Sequence, residues 1–300
     1  MNKEQSFISA VIPLRDDSAG TLDFLDRVYR VLDAHFLQFE LIAVNEEGKQ
    51  GLNQTLRGWA KGKDKPLTII NMSLHQPHEQ CMNAGLDCAI GDYIYEFDAA
   101  RMPYEEELLI KAFRLAQEGN DIVSACPSRE RASSRLFYRL FNAHSHAAYP
   151  LRTDAFHLLS RRAVNRVHAI NENLPYRKAA YAACGLKMAT LLFEGSFTSN
   201  ERGRFGLAAD SLVLYTDFGY QFSLGFTILM LCATLAELIY TCVVWATGNP
   251  IAGWTTTMFV ITFGLTGLFA VMAILLKYMT LLLRISFQKQ SYQVESIEKL

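Results

Sequence analysis

Between Phe218 and Leu276 the chain carries a single charged side chain, Glu237. Two runs inside that stretch, Phe218 to Trp245 and Ile251 to Leu276, are almost wholly apolar. Each is longer than the roughly 20 residues a helix needs to cross a bilayer core, so two membrane spans are expected. The connection between them, Thr247 to Gly253, is short and uncharged. Lys277 and Arg284 follow the second run, and Arg202 and Arg204 precede the first. Lys and Arg flanking spans collect on the cytoplasmic side. Both chain ends are therefore expected there, at the inner membrane in a bacterium, with a minimal turn on the far side. Glu237 is unusual within a span. It is open to a partner helix, to lipid phosphate, or to a solvated position near the far interface. Gly264 and Gly267 permit close contact with the first span or with a neighbouring copy.

Upstream of the spans, β-branched and aromatic runs alternate with segments of helical periodicity. Strands are expected at Phe7 to Pro13, Phe39 to Val44, Leu67 to Asn71, Tyr93 to Phe97 and Asp121 to Cys126. Helices are expected over Thr21 to Phe36, Gly51 to Lys61, Glu79 to Ala89 and Glu105 to Glu118. Such alternation predicts an α/β domain with a mostly parallel sheet covered by helices on both faces. The strand Tyr93 to Phe97 delivers Asp98 to its carboxyl end, where open α/β sheets bind ligands. Chemistry is expected there.

The net charge of −1 hides an asymmetry: residues 1–128 carry −8, residues 129–204 carry +8, and the remainder −1. The chain accordingly divides into 1–128, 129–217, the spans at 218–284 and a tail at 285–300. Within the basic segment, Ser133 to Phe141 is amphipathic with Arg135 and Arg139 on its edge, suiting either an interfacial helix or one lying on the sheet. Leu207 to Phe218 poses the same choice. A basic segment just before a membrane anchor favours contact with anionic head groups or phosphate. The six cysteines form no CxxC pair and are read as reduced and mostly buried. His75 and His78 flank Pro77 in a loop, where they suit contact with a diphosphate or, more readily, a solvated position. Asp154 reads as a proton acceptor or a partner for Arg152 or Arg161.

Five landmarks in order resemble the family-2 glycosyltransferases, in the branch that moves a sugar from a nucleotide donor to polyprenyl phosphate. They are AVIPLRDD (Ala10 to Asp17), LIAVNEEG (Leu41 to Gly48), NAGLDCAIGDYIYEFDAARMP (Asn83 to Pro103), TDAFHLLSRRAV (Thr153 to Val164) and NERGRFGL (Asn200 to Leu207). The resemblance implies a nucleotide-diphospho-sugar transferase (GT-A-like) domain, with nucleotide sugar bound by 1–128 and acceptor by 129–217. It places Pro13, Asp17 and Glu46 at the nucleotide, and Asp98 at the reacting centre as a ligand of Mg²⁺ or Mn²⁺. Arg161, Arg202 and Arg204 fall at the acceptor phosphate. Hard cations on carboxylate oxygens suit a diphosphate leaving group. The chain departs from the family pattern at Ala100, which stands where the second metal carboxylate would be. Met102, Asn45, Arg15 and the pair Phe156-His157 are further departures.

The function so implied is sugar transfer with inversion from a nucleotide sugar to polyprenyl phosphate at the cytoplasmic face. The implied partners are the lipid, the membrane and a homo-oligomer or partner membrane protein; no nucleic acid is implied. The alternative is a catalytically silent scaffold that keeps the fold to hold a partner transferase or flippase.

Overall fold

The computed structural model describes residues 3–15, 19–47, 50–73, 76–145, 147–170, 176–197, 218–248, 253–286 and 292–300. The chain forms two units, one from Met1–Ala208 with Phe287–Leu300 and the other from Ala209–Ser286.

The first unit is built on one eight-stranded sheet. Its strands are β1 (Ile8–Leu14), β2 (Phe39–Asn45), β3 (Leu67–Met72), β4 (Tyr93–Phe97), β5 (Ile122–Arg129), β6 (Phe156–Ser160), β7 (Met188–Ser196) and β8 (Val294–Lys299). Their spatial order is β7-β5-β6-β4-β1-β2-β3-β8. β6 runs antiparallel to β4 and β5, and β8 antiparallel to β3; the remaining pairings are parallel. This is the mostly parallel α/β architecture expected from the sequence, and each of the five strands expected in residues 1–128 is present.

β1 and β2 are buried along their whole length, as strands covered on both faces must be. Their side chains alternate between two cores. Ile8, Ala10, Ile12 and Leu14 meet Phe24, Leu25, Val28 and Leu32 of α1 (Ala19–His35), with Leu109 and Phe113 of α4 (Glu107–Gln117) in the same core. On the other face Val11, Ile42 and Val44 meet Cys81, Met82 and Leu86 of α3 (His78–Cys88). Val164 of α6 (Arg161–Ile170) and Tyr181 of α7 (Arg177–Ala183) complete that core.

Gly85 lets α3 lie close on the sheet, because a Cβ there would stand 2.4 Å from Val11 Cγ1 and 2.9 Å from Val44 Cγ2. Leu52 and Leu56 of α2 (Gln50–Ala60) join the core with α1 and α4, and α5 (Ala132–His144) contains the amphipathic segment expected at Ser133 to Phe141.

The sheet runs through both upstream segments and takes its edge strand from the stretch read as a tail. β8 covers β3, with Asn71 donating to Ser296 and Arg57 paired to Glu298 at 2.7 Å. Unpaired sheet edges invite aggregation, and β8 protects this one.

The second unit is a pair of helices, α8 (Phe218–Thr247) and α9 (Trp254–Ser286). Segments Tyr220–Thr247 and Thr256–Met279 are long and apolar enough to cross a membrane. The helices pack antiparallel: Phe226 stacks on Phe269, Thr234 Oγ1 lies 3.0 Å from Thr266 Oγ1, and Lys277 Nζ sits 5.0 Å over the Tyr220 ring. Gly264 and Gly267 do not mediate that contact, since a Cβ on either would meet open space.

Candidate active site

Parallel strands bring their carboxyl ends to one edge, and the residues just beyond them converge there. Arg15 follows β1, Glu46 follows β2 and Asp98 follows β4, while α3 opens on His78 beyond β3. β6 arrives from the opposite direction with Phe156 beside Phe97. Asp154 and His157 thus reach the same edge, and the Asp98 amide donates to Ala155 O at 3.0 Å.

Glu46, 2% exposed, pairs with Arg15 on one side and accepts a hydrogen bond from His78 Nδ1 on the other. The far nitrogen of that ring, Nε2, lies 3.9 Å from Asp98 Oδ1. Lys178 of α7 then bridges two carboxylates, its Nζ 3.2 Å from Asp98 Oδ1 and 2.6 Å from Asp154 Oδ1. His157 Nε2 meets the other oxygen of Asp154 at 3.1 Å.

Behind Lys178, the buried Arg177 fixes the start of α7. Its backbone N donates to Glu79 Oε2 and its Nη1 to Glu79 O, both at 3.0 Å, while Nε pairs with Glu96. Tyr181 Oη donates to the other Glu96 oxygen at 2.6 Å. A small pocket opens onto Lys178, Asp154 and His157, with exposed Arg152 among its lining.

These groups perturb one another as buried charges do. Burial alone would raise the Asp98 carboxyl, but the Lys178 ammonium and then His78 hold it below the usual range. Asp154 is likewise opposed by burial, yet His157 and Lys178 bring it to about 2. Burial would depress Lys178, whereas Asp154 and Asp98 keep it well above an ordinary lysine. His78 and His157 are both raised: against burial, Glu46 acts first on the former and Asp154 on the latter. The five carboxylates Glu46, Glu79, Glu96, Asp98 and Asp154 face three fixed cations, Arg15, Arg177 and Lys178. His78 and His157, both raised, add positive charge to the cluster whenever they are protonated.

Of the residues singled out in the sequence, Glu46 and Asp98 come together, bridged by His78. Pro13 is buried in β1 opposite Val44, two residues before Arg15. Asp17, Arg202, Arg204 and His75 lie outside the described residues, as does most of Leu207 to Phe218. Arg161 is not at this edge. Its guanidinium donates to Ala89 O at 2.7 Å and Gly91 O at 3.0 and 2.7 Å, at the opposite end of β4, because β6 runs antiparallel and ends there. His78 is buried at the start of α3 rather than solvated in a loop, and Asp154 pairs with Lys178 and His157 rather than with Arg152 or Arg161. Arg177 and Lys178 went unmarked, because two adjacent cations in a basic stretch carry no motif.

The described side chains at this edge do not fit a divalent ion. Among the described residues no group of three or more His, Cys, Asp or Glu side chains is arranged to hold a metal. Ala100 is partly buried, packed with Ala99 and Met102 against the core that holds Phe24 and Phe97. The Asp98 carboxylate faces an ammonium.

Residues 9–184, more than half of the chain, match the family described as Glycosyl transferase family 2. The chain belongs to that family. An uncharacterised glycosyltransferase of Synechocystis sp. is 25% identical over 195 residues, covering 62% of this chain and 60% of the relative. The undecaprenyl-phosphate 4-deoxy-4-formamido-L-arabinose transferase of Pseudomonas syringae is 23% identical over 128 residues, 43% of this chain and 38% of that one. The chain thus spans less than two thirds of these relatives. Among solved structures, the mannosyltransferase PcManGT of Pyrobaculum calidifontis, in complex with GDP-Man and Mn²⁺, aligns with a TM-score of 0.51 at 17% identity. It covers 88% of each chain. At that identity the match speaks to fold alone, and the fold of this family 2 chain is GT-A-like.

Proposed function

We propose that this family 2 chain is a membrane-anchored glycosyltransferase moving a sugar from a nucleotide sugar to polyprenyl phosphate. The observation that carries the proposal is the buried charged edge around Glu46 and Asp98 within the family domain. The apolar helix pair and the named activity of the Pseudomonas relative support the lipid acceptor. An oxygen of the acceptor phosphate attacks the anomeric carbon as the bond from that carbon to the diphosphate oxygen breaks. The nucleoside diphosphate departs and the configuration inverts. The acceptor phosphate is already ionised near neutral pH, so no strong general base is required. In this reading Pro13, Asp17 and Glu46 line the nucleotide, Asp98 lies at the reacting centre, and Arg202 and Arg204 meet the acceptor phosphate. Both chain ends face the cytoplasm, at the inner membrane of a bacterium.

One observation favours a second reading. The carboxylates of this edge are already matched by the protein's own cations, as they would be in a silent site retained as a scaffold for a partner transferase or flippase. Incubation of the full chain with radiolabelled nucleotide sugars and a short polyprenyl phosphate decides between them. Transfer that is lost in Asp98→Ala supports the enzyme; absence of transfer with every donor supports the scaffold.

A further inference from the structure

We infer that Lys178 is the resident counter-ion of this site, standing where a divalent metal would be needed, so that a diphosphate binds here without metal. The inference deepens the nucleotide-sugar reading and rests on it.

Three observations lead there. The first is the ligand set: with Ala100 packed into the core, Asp98 lacks the neighbouring carboxylate that would share an ion with it. The second is position. Lys178 Nζ lies 3.2 Å from Asp98 and 2.6 Å from Asp154, so the protein's own cation occupies the space a cation would take beside Asp98. A divalent ion binding there would have to displace an ammonium, since two cations so close repel in a site removed from water.

The third is preorganisation. Arg177, 1% exposed, ties the first turn of α7 to Glu79 of α3 and Glu96 of β4, so the next residue is delivered at a fixed place. Arg177 is in this sense a positioning residue. An ammonium has three donors. Asp98 and Asp154 are its ion-pair partners among the described residues, which leaves donor capacity for a ligand oxygen. The pocket that opens on Lys178 has Arg152 and His157 among its lining, so positive charge surrounds that donor.

Chemically, Lys178 would offset charge on the diphosphate as the sugar leaves, the task a metal performs elsewhere. The role needs no proton transfer.

The test is calorimetric titration of the full chain in detergent micelles with pyrophosphate, UDP and GDP, each in EDTA and again in Mn²⁺. Pyrophosphate removes dependence on the base. The expected result is binding of at least one probe in EDTA, changed less than about twofold by Mn²⁺ and weakened at least tenfold in Lys178→Gln but not in Lys178→Arg. Binding that appears only with Mn²⁺ overturns the inference and leaves the nucleotide-sugar reading standing. No binding in either condition overturns both. Binding in EDTA that Lys178→Gln leaves intact overturns the role of Lys178. Should Lys178→Gln not fold, the paramagnetic resonance signal of free Mn²⁺ decides on the wild-type chain. A signal unchanged by added protein supports the inference, and saturable loss of the signal, abolished in Asp98→Asn, overturns it.

Discussion

Replacing Lys178 by Gln removes the one ammonium that Asp98 and Asp154 share, and the stability cost can be worked from the geometry. Both carboxylates are buried, 7% and 4% exposed, so water does little to replace the lost partner. Asp154 is held at about 2 against an ordinary value of 3.8, which corresponds to about 2 kcal/mol of stability at neutral pH. His157 supplies the larger electrostatic share of that and Lys178 the next. Asp98, whose first supporting charge is Lys178, adds its own loss. Breaking a buried ion pair by deleting one partner costs about 3–5 kcal/mol. For a unit of this size each kcal/mol moves Tm by about 2–4 °C, so a fall of about 6–20 °C is expected.

The pH dependence has a definite sign. In the wild type, a carboxyl depressed by folding contributes stability above 3.8 that disappears as the pH falls toward about 2. In Lys178→Gln the Asp98 carboxyl loses its first supporting charge and rises, while Asp154, still paired with His157, rises less, so protonation on acidification relieves the variant first. The gap between the two proteins is therefore widest near neutrality and narrows as the pH falls. Thermal unfolding of the full chain in micelles, followed by circular dichroism between pH 4.5 and 8, measures it. A gap below about 2 °C at pH 7, or one that widens on acidification, would refute the reasoning.

Gly85→Ala sets a Cβ 2.4 Å from Val11 Cγ1 and is expected to destabilise by about 1–3 kcal/mol in a thermal melt. Gly58→Ala, in the open on α2, should raise stability by about 0.5–1 kcal/mol in the same assay. Arg161→Ala is expected to lower Tm through the lost bonds to Ala89 and Gly91 while leaving diphosphate affinity within about twofold, read by the titration described above. His78, raised by its Glu46 partner, contributes stability that is full below about pH 6.5 and lost as the pH rises through its folded value. Wild-type Tm should thus fall on alkalinisation from pH 6.5, and Glu46→Gln should remove His78's part of that fall, leaving the part due to His157.

The elements that announced themselves in the sequence are those whose residues face one kind of surroundings along their whole length. β1, β2 and β3 read as largely apolar runs because helices cover both faces, and the long helices of the second unit read plainly because they are apolar along nearly their whole length. β6 and β7 are harder to see. FHLLS is short and carries His157, and MATLLFEGS mixes small, polar and charged residues, so pairing to β4 and β5 rather than intrinsic pattern makes them strands. β8, VESIEK, reads as a charged tail, and only the open edge of β3 turns it into a strand.

The site divides in the same way. Glu46 and Asp98 were legible because each follows a recognisable strand. Lys178 and Arg177 were not, since their importance comes from α7 folding back on α3 and β4, where Arg177 meets Glu79 and Glu96 across 98 and 81 residues of sequence.

The return of β8 also bears on how the apolar helices are arranged. The chain leaves the sheet unit ahead of α8 and rejoins it after α9, where Gln293 accepts from Ser73 and Gln76 and Tyr292 donates to Asp87. Both outer ends of the helix pair are therefore joined to one unit. If the antiparallel pair crosses a bilayer, its two outer ends lie at one face.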